Sequence, residues 1–259
     1  ARSVYDNTGR VLLSCGTVLT DEYIDKLYDR GLPGIYIEDK LAEDIEIEEA
    51  ISEELRNEGA EALRNGDVDA AMGVGRRIVD EIIQNPRVTL DLIDLRSYDD
   101  YTYRHSVNVA VISTVIGINM QLNRLALDEL SIAAILHDIG KRRIDPKIIN
   151  KKGKLTPEEY TEVKHHSEYG YEMVKSRIDL SAKIKNAILL HHENEDGSGY
   201  PKGLKGNQIF IYAKIIHVAD VFDALTAKRP YKKAYAQSEA AEYLMGSCDR
   251  MFDREVVKA

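Results

Sequence analysis

The spacing of apolar and polar residues changes character along the chain. Up to about residue 39 it predicts a small α+β unit, with short strands at residues 10–13 and 34–37 and a helix over residues 21–30 that Thr20 caps. Residues 41–65 and 68–83 then carry helical spacing with many Glu and Arg residues. Such a polar pair is a connector, a dimerising pair or simply a solvated face.

From about residue 85 onward nearly every segment has helical spacing. Thr156, Pro157 and Glu159 form the clearest start signal, a cap followed by a capping box, for a helix that continues past His166. Further helices are predicted over residues 101–120, 125–139 and 208–228, and one begins at residues 180–181. The sequence therefore predicts a mainly α fold, with a small N-terminal regulatory or dimerisation unit and helical connector at residues 1–84 and an all-helical domain at residues 85–259.

Composition narrows the class of protein. The hydrophobic fraction of 44% is ordinary for a globular protein, and no apolar stretch approaches the roughly 20 residues that span a bilayer. Cys15 and Cys248 are the only cysteines and belong to no paired motif, which disfavours a disulfide framework and a thiolate metal site. We therefore expect a cytoplasmic location, with no membrane segment in this chain.

The formal charge of −9 is unevenly distributed. Residues 41–66 contribute a net −7, so the remaining residues sum to only −2, and several bases lie near the histidines. The local electrostatic potential near the histidines, rather than the net charge of the chain, would therefore decide whether an anionic ligand binds there. Most of these basic residues could equally be ordinary solvated surface residues with no role in ligand binding. We do not expect the chain to bind DNA.

All seven histidines lie between His105 and His217. Five of them, with two aspartates, occur in short patterns typical of metal ligands: His105, His137, Asp138, His166, His191, His192 and Asp220. The patterns belong to separate predicted helices, as an inward-facing metal site in a helical bundle requires. Five imidazoles and two carboxylates exceed what one ion uses, so the count predicts at least two metal ions.

Each pattern taken alone has a structural explanation. His105 lies on an apolar helical stripe, where a histidine usually bonds a backbone carbonyl within the core. His191 and His192 are equally compatible with a solvated pair at a helix end. Asp220 lies in an apolar run, where an unpaired carboxylate is costly, so it must meet a cation or a donor. A metal satisfies these residues together, and Asp138 can bridge two cations with its two oxygens.

The chain resembles the HD-GYP branch of the HD phosphohydrolase superfamily from about residue 85 to its end. The matching strings are Tyr101-Thr-Tyr-Arg-His105, His137-Asp-Ile-Gly-Lys141, His166-x-x-x-Gly170, His191-His192, Gly199-Tyr-Pro201 and the segment from Asp220 to Tyr231. The resemblance implies a helical-bundle HD-type domain that hydrolyses cyclic di-GMP to pGpG, GMP or both through a hydroxide bridging two metals.

The resemblance also implies roles for individual residues. One metal would be held by His105, His137, Asp138 and Asp220, and the other by Asp138, His166, His191 and His192. The substrate would be contacted by Lys141, Tyr200, Arg229 and Lys232, with Asp138 and Lys141 as the catalytic pair. Three-metal members carry a Glu where this chain has Tyr101, so we expect two divalent ions, iron or manganese. His165 and His217 are interpreted as structural.

Two cations about 3.5–4 Å apart can deprotonate a shared water near neutral pH and polarise a phosphoryl group.

Two alternatives to this function remain. One is another HD-superfamily hydrolase that acts on nucleoside triphosphates or guanosine tetraphosphate. The other is a non-catalytic module that senses cyclic di-GMP or binds a GGDEF-domain protein. GGDEF-domain proteins and a second copy of this chain, in a homodimer, are the expected protein partners.

Overall fold

The computed structural model describes residues 4–5, 11–14, 16–29, 50–84, 101–151, 153–227 and 235–259. At the N-terminus β1 (Val4–Tyr5) pairs antiparallel with β2 (Val11–Leu13), and α1 (Asp21–Asp29) follows. The strand predicted at residues 34–37 lies outside the described residues. The strand predicted at residues 10–13 is confirmed over Val11–Leu13, and the helix predicted after Thr20 is confirmed as α1. Thr20 Oγ1 accepts a hydrogen bond from the amide of Tyr23 at 3.3 Å.

The remaining described residues are mainly helical, which confirms the predicted fold class. The helices are α2 (Glu53–Asn65), α3 (Val68–Gln84), α4 (Tyr101–Asn119), α5 (Arg124–Leu136), α6 (Pro146–Ile149), α7 (Pro157–Lys164), α8 (His166–Val174), α9 (Ala182–Leu190), α10 (Ile211–Thr226), α11 (Gln237–Gly246) and α12 (Arg254–Lys258). None of these described helices combines the length and apolar character needed to cross a bilayer.

Helix α4 is the centre of the bundle. Its residues from Arg104 to Thr114 are all buried, because α2, α3, α5 and α10 pack around it. The sequence predicted a single inward stripe containing His105, but burial on every side is what a helix at the centre of a bundle requires. Helices α8 and α9 pack against each other, and α9 also contacts α5 and α10. This arrangement points several helix ends toward one interior position.

The interpretation of α2 and α3 as a merely solvated pair is wrong. Their apolar residues Leu55, Val74 and Ile78 are fully buried and belong to the same core cluster as Val107 and Ile132 of α4 and α5. Most of the acidic and basic residues that dominate the composition lie on the opposite faces, so overall polarity concealed an amphipathic pattern. The domain boundary after residue 84 stays a prediction, because residues 85–100 lie outside the described part of the chain.

Two predicted helices end earlier than expected. The capping box at the start of α7 is confirmed: the Glu159 amide donates to Thr156 Oγ1 at 3.2 Å, and the Thr156 amide donates to Glu159 Oε2 at 2.7 Å. However, α7 ends at Lys164, and His166 begins α8 rather than continuing α7. Likewise α5 ends at Leu136, and a 3-10 turn over Ile139–Arg143 follows Asp138. Both breaks place ligand candidates at helix ends.

Candidate metal centre

The seven ligand candidates come together in the interior of the bundle. Two sets of three have ligand atoms within 4.8 Å of one another. We call the first the HD group (His105, His137, Asp138) and the second the triple-histidine group (His166, His191, His192). Asp220 lies beside both groups, with Oδ1 3.0 Å from His105 Nε2 and Oδ2 3.9 Å from His192 Nδ1.

Asp138 lies between the two groups. Its Oδ1 is 3.3 Å from His166 Nε2, and its Oδ2 is 3.3 Å from His137 Nε2 and 3.9 Å from His105 Nε2. One carboxylate oxygen therefore faces each group. This geometry fits the predicted bridging role, because a carboxylate that holds two cations must offer one oxygen to each.

Backbone carbonyls fix three of the histidine tautomers. The Nδ1 atoms of His137, His166 and His191 lie 2.7–2.8 Å from the carbonyl oxygens of Ala134, Val163 and Ile188, each three residues earlier. Because a carbonyl can only accept, each Nδ1 carries the hydrogen and each Nε2 keeps its lone pair. Histidines at or just after helix ends thus use backbone carbonyls three residues earlier to direct Nε2 toward the centre.

The resulting lone pairs lack ordinary hydrogen-bond partners. His166 Nε2 and His191 Nε2 face each other at 3.2 Å, although the tautomers leave no hydrogen between them. Within the described part of the chain, the buried atoms His137 Nε2 and Asp138 Oδ1 also have no hydrogen-bond partner. Orphaned buried acceptors carry a desolvation cost that a cation would remove. The donor set therefore fits a site for divalent transition metals.

Electrostatics differ between the two groups. Burial lowers the pKa of His191 and His192 well below its usual value and also lowers the pKa of His166, so these rings are neutral and able to bind metal. Burial also opposes protonation of His105, but the hydrogen bonds that its ring donates to Asp220 and Asp223 outweigh this effect and raise its pKa to about 10.

Both carboxylates at the centre remain ionised although they are buried. Burial by itself would raise the pKa of Asp138, but the charge of Lys141 and the neighbouring His137 hold that pKa well below its usual value. Burial likewise opposes ionisation of Asp220, and the hydrogen bond with His105 lowers its pKa well below the usual value. Ionised carboxylates are the form that a cation binds.

Two polar residues next to His105, Asp223 and Asn108, were not predicted from the sequence. Asp223 Oδ2 lies 2.6 Å from His105 Nδ1, and Asp223 Oδ1 accepts a hydrogen bond from Asn108 Nδ2 at 3.0 Å. Asp223 and Asn108 are both buried. Each follows a ligand candidate by three residues, and this spacing on one helix face is the signal that could have identified them. Asp223 orients the His105 ring and directs Nε2 toward Asp138 and Asp220.

Gly140 allows the turn after Asp138 to pack directly on the start of α8. A Cβ atom at this position would lie 1.9 Å from the carbonyl oxygen of His166. No side chain therefore fits there without displacement of the backbone. The absence of a side chain brings the HD group and the triple-histidine group close enough to share Asp138.

A cleft opens beside the HD group. Its volume is about 360 Å³, and its walls are formed by Leu63, Tyr103, Ser106, Asp138, Ile139, Lys141, Arg142, Ile144, Pro146, Ile149 and Asn150. Lys141 Nζ hydrogen bonds to Asp138 Oδ2, so the ammonium lies between the ligand group and the cleft. A cleft with apolar walls and a few polar groups is typical of a small-molecule site.

Tyr200 covers the triple-histidine group on another side. Its ring stacks on His192 with centroids 4.7 Å apart, and its amide donates to the carbonyl of His192 at 3.1 Å. The buried carboxylate of Glu193 accepts hydrogen bonds from the amides of Lys202 at 2.7 Å and Leu204 at 2.9 Å. Glu193 therefore fixes the loop that carries Tyr200, a role the sequence analysis did not identify.

The remaining candidates are placed as follows. His165 is on the surface and pairs with Glu168 at 2.7 Å, and His217 is buried with Nε2 3.1 Å from Asn194 Oδ1. Neither belongs to either ligand group. Arg229 and Lys232 lie outside the described residues, and so does the side chain of Tyr101. Their predicted roles stay predictions.

Comparisons with known proteins show the family to which the chain belongs. A family model described as an HD domain matches residues 87–256. The chain is 38% identical over 186 residues to the cyclic di-GMP phosphodiesterase PA4108 of Pseudomonas aeruginosa, covering 70% of this chain and 45% of that protein. It is 41% identical over 132 residues to the 3'3'-cGAMP-specific phosphodiesterase 2 of Vibrio cholerae, covering 51% of this chain and 25% of that protein.

One solved structure extends the similarity to the fold. Bd1817, a HDG"Y"P protein from Bdellovibrio bacteriovorus, superposes with a TM-score of 0.64 at 20% identity, over 79% of this chain and 67% of that one. At this identity the likeness concerns the fold alone. The chain spans less than half the length of either curated relative named above.

Proposed function

Because this chain belongs to the HD domain family, we propose that it is a metal-dependent phosphodiesterase that hydrolyses cyclic di-GMP to pGpG, GMP or both. Its motifs place it in the HD-GYP branch. The observation that carries the proposal is the pair of ligand groups joined by Asp138, since one carboxylate between two sets of buried histidines is suited to a two-metal site.

The metals define the chemistry, and the chain positions the substrate. When bound, two divalent cations supply Lewis-acid polarisation of the phosphate and a water of lowered pKa. Lys141, at the cleft beside Asp138, is placed to neutralise charge that develops on the phosphoryl group. Tyr200 stacks on His192 and shields the histidines from water. Arg229 and Lys232 complete the phosphate contacts.

The proposal includes the metal count and identity. His105, His137, Asp138 and Asp220 would hold one ion, and Asp138, His166, His191 and His192 the other. We propose two ions, iron or manganese, because Tyr101 stands where a Glu would be needed for a third. The donor set is also compatible with zinc, nickel or cobalt. An anomalous-scattering map with a third fully occupied ion on protein ligands would contradict this count.

A substrate panel tests the proposed function. Protein purified without oxygen is assayed for metal and then incubated with cyclic di-GMP, 3'3'-cGAMP, a nucleoside triphosphate and guanosine tetraphosphate. We expect the highest kcat/KM for cyclic di-GMP, with pGpG or GMP in the chromatogram. Preference for 3'3'-cGAMP would change the substrate but keep the two-metal reaction. Tight binding of cyclic di-GMP without products from metal-loaded protein would favour a sensor.

The protein context is also part of the proposal. We propose that residues 1–84 regulate or dimerise the enzyme, that it acts as a cytoplasmic homodimer, and that GGDEF-domain proteins are partners. Sedimentation of the whole chain would test dimerisation, because α2 and α3 pack into the same core as α4 and α5 and cannot be studied apart from it. A monomer at every concentration would limit that unit to regulation.

A further inference from the structure

A chain of buried polar contacts connects α2 to the metal centre. Arg56 of α2 donates from Nη1 to Asn108 Oδ1, Asn108 donates to Asp223, and Asp223 binds His105 Nδ1. The Arg56 side chain is only 13% exposed, so it contributes to the interior rather than to the solvated face. Each of these three contacts joins residues that are more than 50 positions apart in the sequence.

A second contact attaches α2 to α4 beside the same histidine. Arg104, which precedes His105, is 2% exposed and donates to Asn57 Oδ1 at 2.9 Å and Glu53 Oε1 at 3.0 Å. The helices also approach closely at Gly59, where a Cβ atom would lie 2.8 Å from a methyl group of Val107. Helix α2 is therefore held against the first turns of α4 by polar contacts and close packing together.

We propose that α2 is a positioning element of the metal centre, and that Arg56 orients His105 through Asn108 and Asp223. The guanidinium holds the amide of Asn108 in the orientation that donates to Asp223, and this leaves the other Asp223 oxygen for His105. Without Arg56, Asn108 can rotate, and the carboxylate then loses the hydrogen bond from Asn108 Nδ2. Arg56 precedes the segment that matches the HD domain, which begins at residue 87.

The inference rests on the metal site of the proposed function and is tested with Co²⁺ alone. Co²⁺ is titrated into metal-free wild-type protein and into Arg56→Ala, Arg56→Lys, Asn108→Ala and Asp223→Asn, and both affinity and visible absorption are recorded. Arg77→Ala is the matched control, because it removes an arginine that pairs with Glu58 of α2 on the exposed surface. Melting temperatures are measured for every variant.

A graded loss supports the inference. We expect Asp223→Asn to weaken Co²⁺ binding about 10–100-fold and Arg56→Ala about three- to tenfold, with an altered spectrum and partial rescue in Arg56→Lys. Arg77→Ala should match wild type.

Equal Co²⁺ affinity and spectrum in Arg56→Ala and wild type would overturn the inference, and so would equal losses in Arg56→Ala and Arg77→Ala. If Arg56→Ala does not fold, a wild-type spectrum and affinity in Arg56→Lys and Asn108→Ala would overturn it. Absence of Co²⁺ binding to wild type would instead overturn the proposed function.

Discussion

The HD group and the triple-histidine group bury their polar atoms in different ways. In the HD group, opposite charges compensate each other: His105 pairs with Asp220 and Asp223, and Lys141 pairs with Asp138. In the triple-histidine group the rings are neutral, and His166 and His191 direct lone pairs at each other. The first group is therefore partly satisfied by protein charges, whereas the second depends on a cation to satisfy its acceptors.

The largest effect should come from Asp138, since it is the contact between the two groups. In Asp138→Asn, a neutral amide cannot bridge two cations, so we expect metal content to fall in both groups and hydrolysis to drop at least about a thousandfold. Metal analysis and steady-state kinetics measure this. Two bound ions with normal turnover in Asp138→Asn would contradict the shared role of Asp138.

Single substitutions should then separate the groups. We expect His191→Ala to empty the triple-histidine group and Asp220→Ala to empty the HD group, each leaving about one ion per chain and reducing turnover at least about a hundredfold. Circular dichroism should show that helical content is retained. His165→Ala is the control for loss of an imidazole and should keep both ions. If Asp220→Ala is strongly destabilised but its folded fraction still binds both ions, Asp220 stabilises the fold and is not a metal ligand.

Lys141 distinguishes a substrate contact from a ligand. We expect Lys141→Ala to lower kcat/KM about 10–100-fold and to leave two ions bound, because the ammonium competes with metal for Asp138 rather than helping to hold it. Lys147→Ala, an exposed lysine on α6, is the control. Loss of metal in Lys141→Ala would show that the lysine supports the HD group instead.

Arg229 extends the comparison to the phosphate contacts. We expect Arg229→Ala to keep both ions and lose about tenfold in catalytic efficiency, equivalent to about 1.4 kcal/mol. The alternative is that Arg229 closes the helix that contains Asp220, just before Pro230. A lowered melting temperature with preserved efficiency would support that structural role.

The smallest expected effect is on the pH dependence of metal-free stability. His105, whose pKa is raised to about 10, contributes stability that is present below its unfolded value near 6.5 and is lost as the pH rises toward 10. The lowered pKa values of His191 and His192 act oppositely, because protonation of the unfolded chain destabilises the fold as the pH falls below about 6.5.

Thermal melts of metal-free protein from pH 5 to pH 10 measure both limbs. Each net proton contributes a slope of at most about 1.4 kcal/mol per pH unit, or about 3–6 °C in melting temperature. The alkaline limb should disappear in His105→Ala, and the acidic limb should weaken in His191→Ala. If both substitutions change the melting temperature in the same pH range, the HD group and the triple-histidine group do not differ in how their buried charges are compensated.

Much of the fold could be predicted from local patterns. The capping box of α7 was identified correctly because a cap and its partner are three residues apart. The end of that helix was not predicted correctly. At the break before His166, the His166 ring bonds to the carbonyl of Val163, and Gly140 packs against the backbone of His166, and neither contact can be read from local spacing. The burial of α2 was also missed, because Glu and Arg on one face obscured the apolar residues on the other.

The sequence by itself determined the ligand candidates, because histidine and aspartate in helical patterns with regular spacing are recognisable without coordinates. Only the tertiary structure decided which atoms face each other: one oxygen of Asp138 toward each group, Asp223 behind His105, and Arg56 behind Asn108. These contacts join helices that are far apart in the sequence. Their geometry follows from how the helices pack, and local periodicity carries no information about the orientation of one helix relative to another.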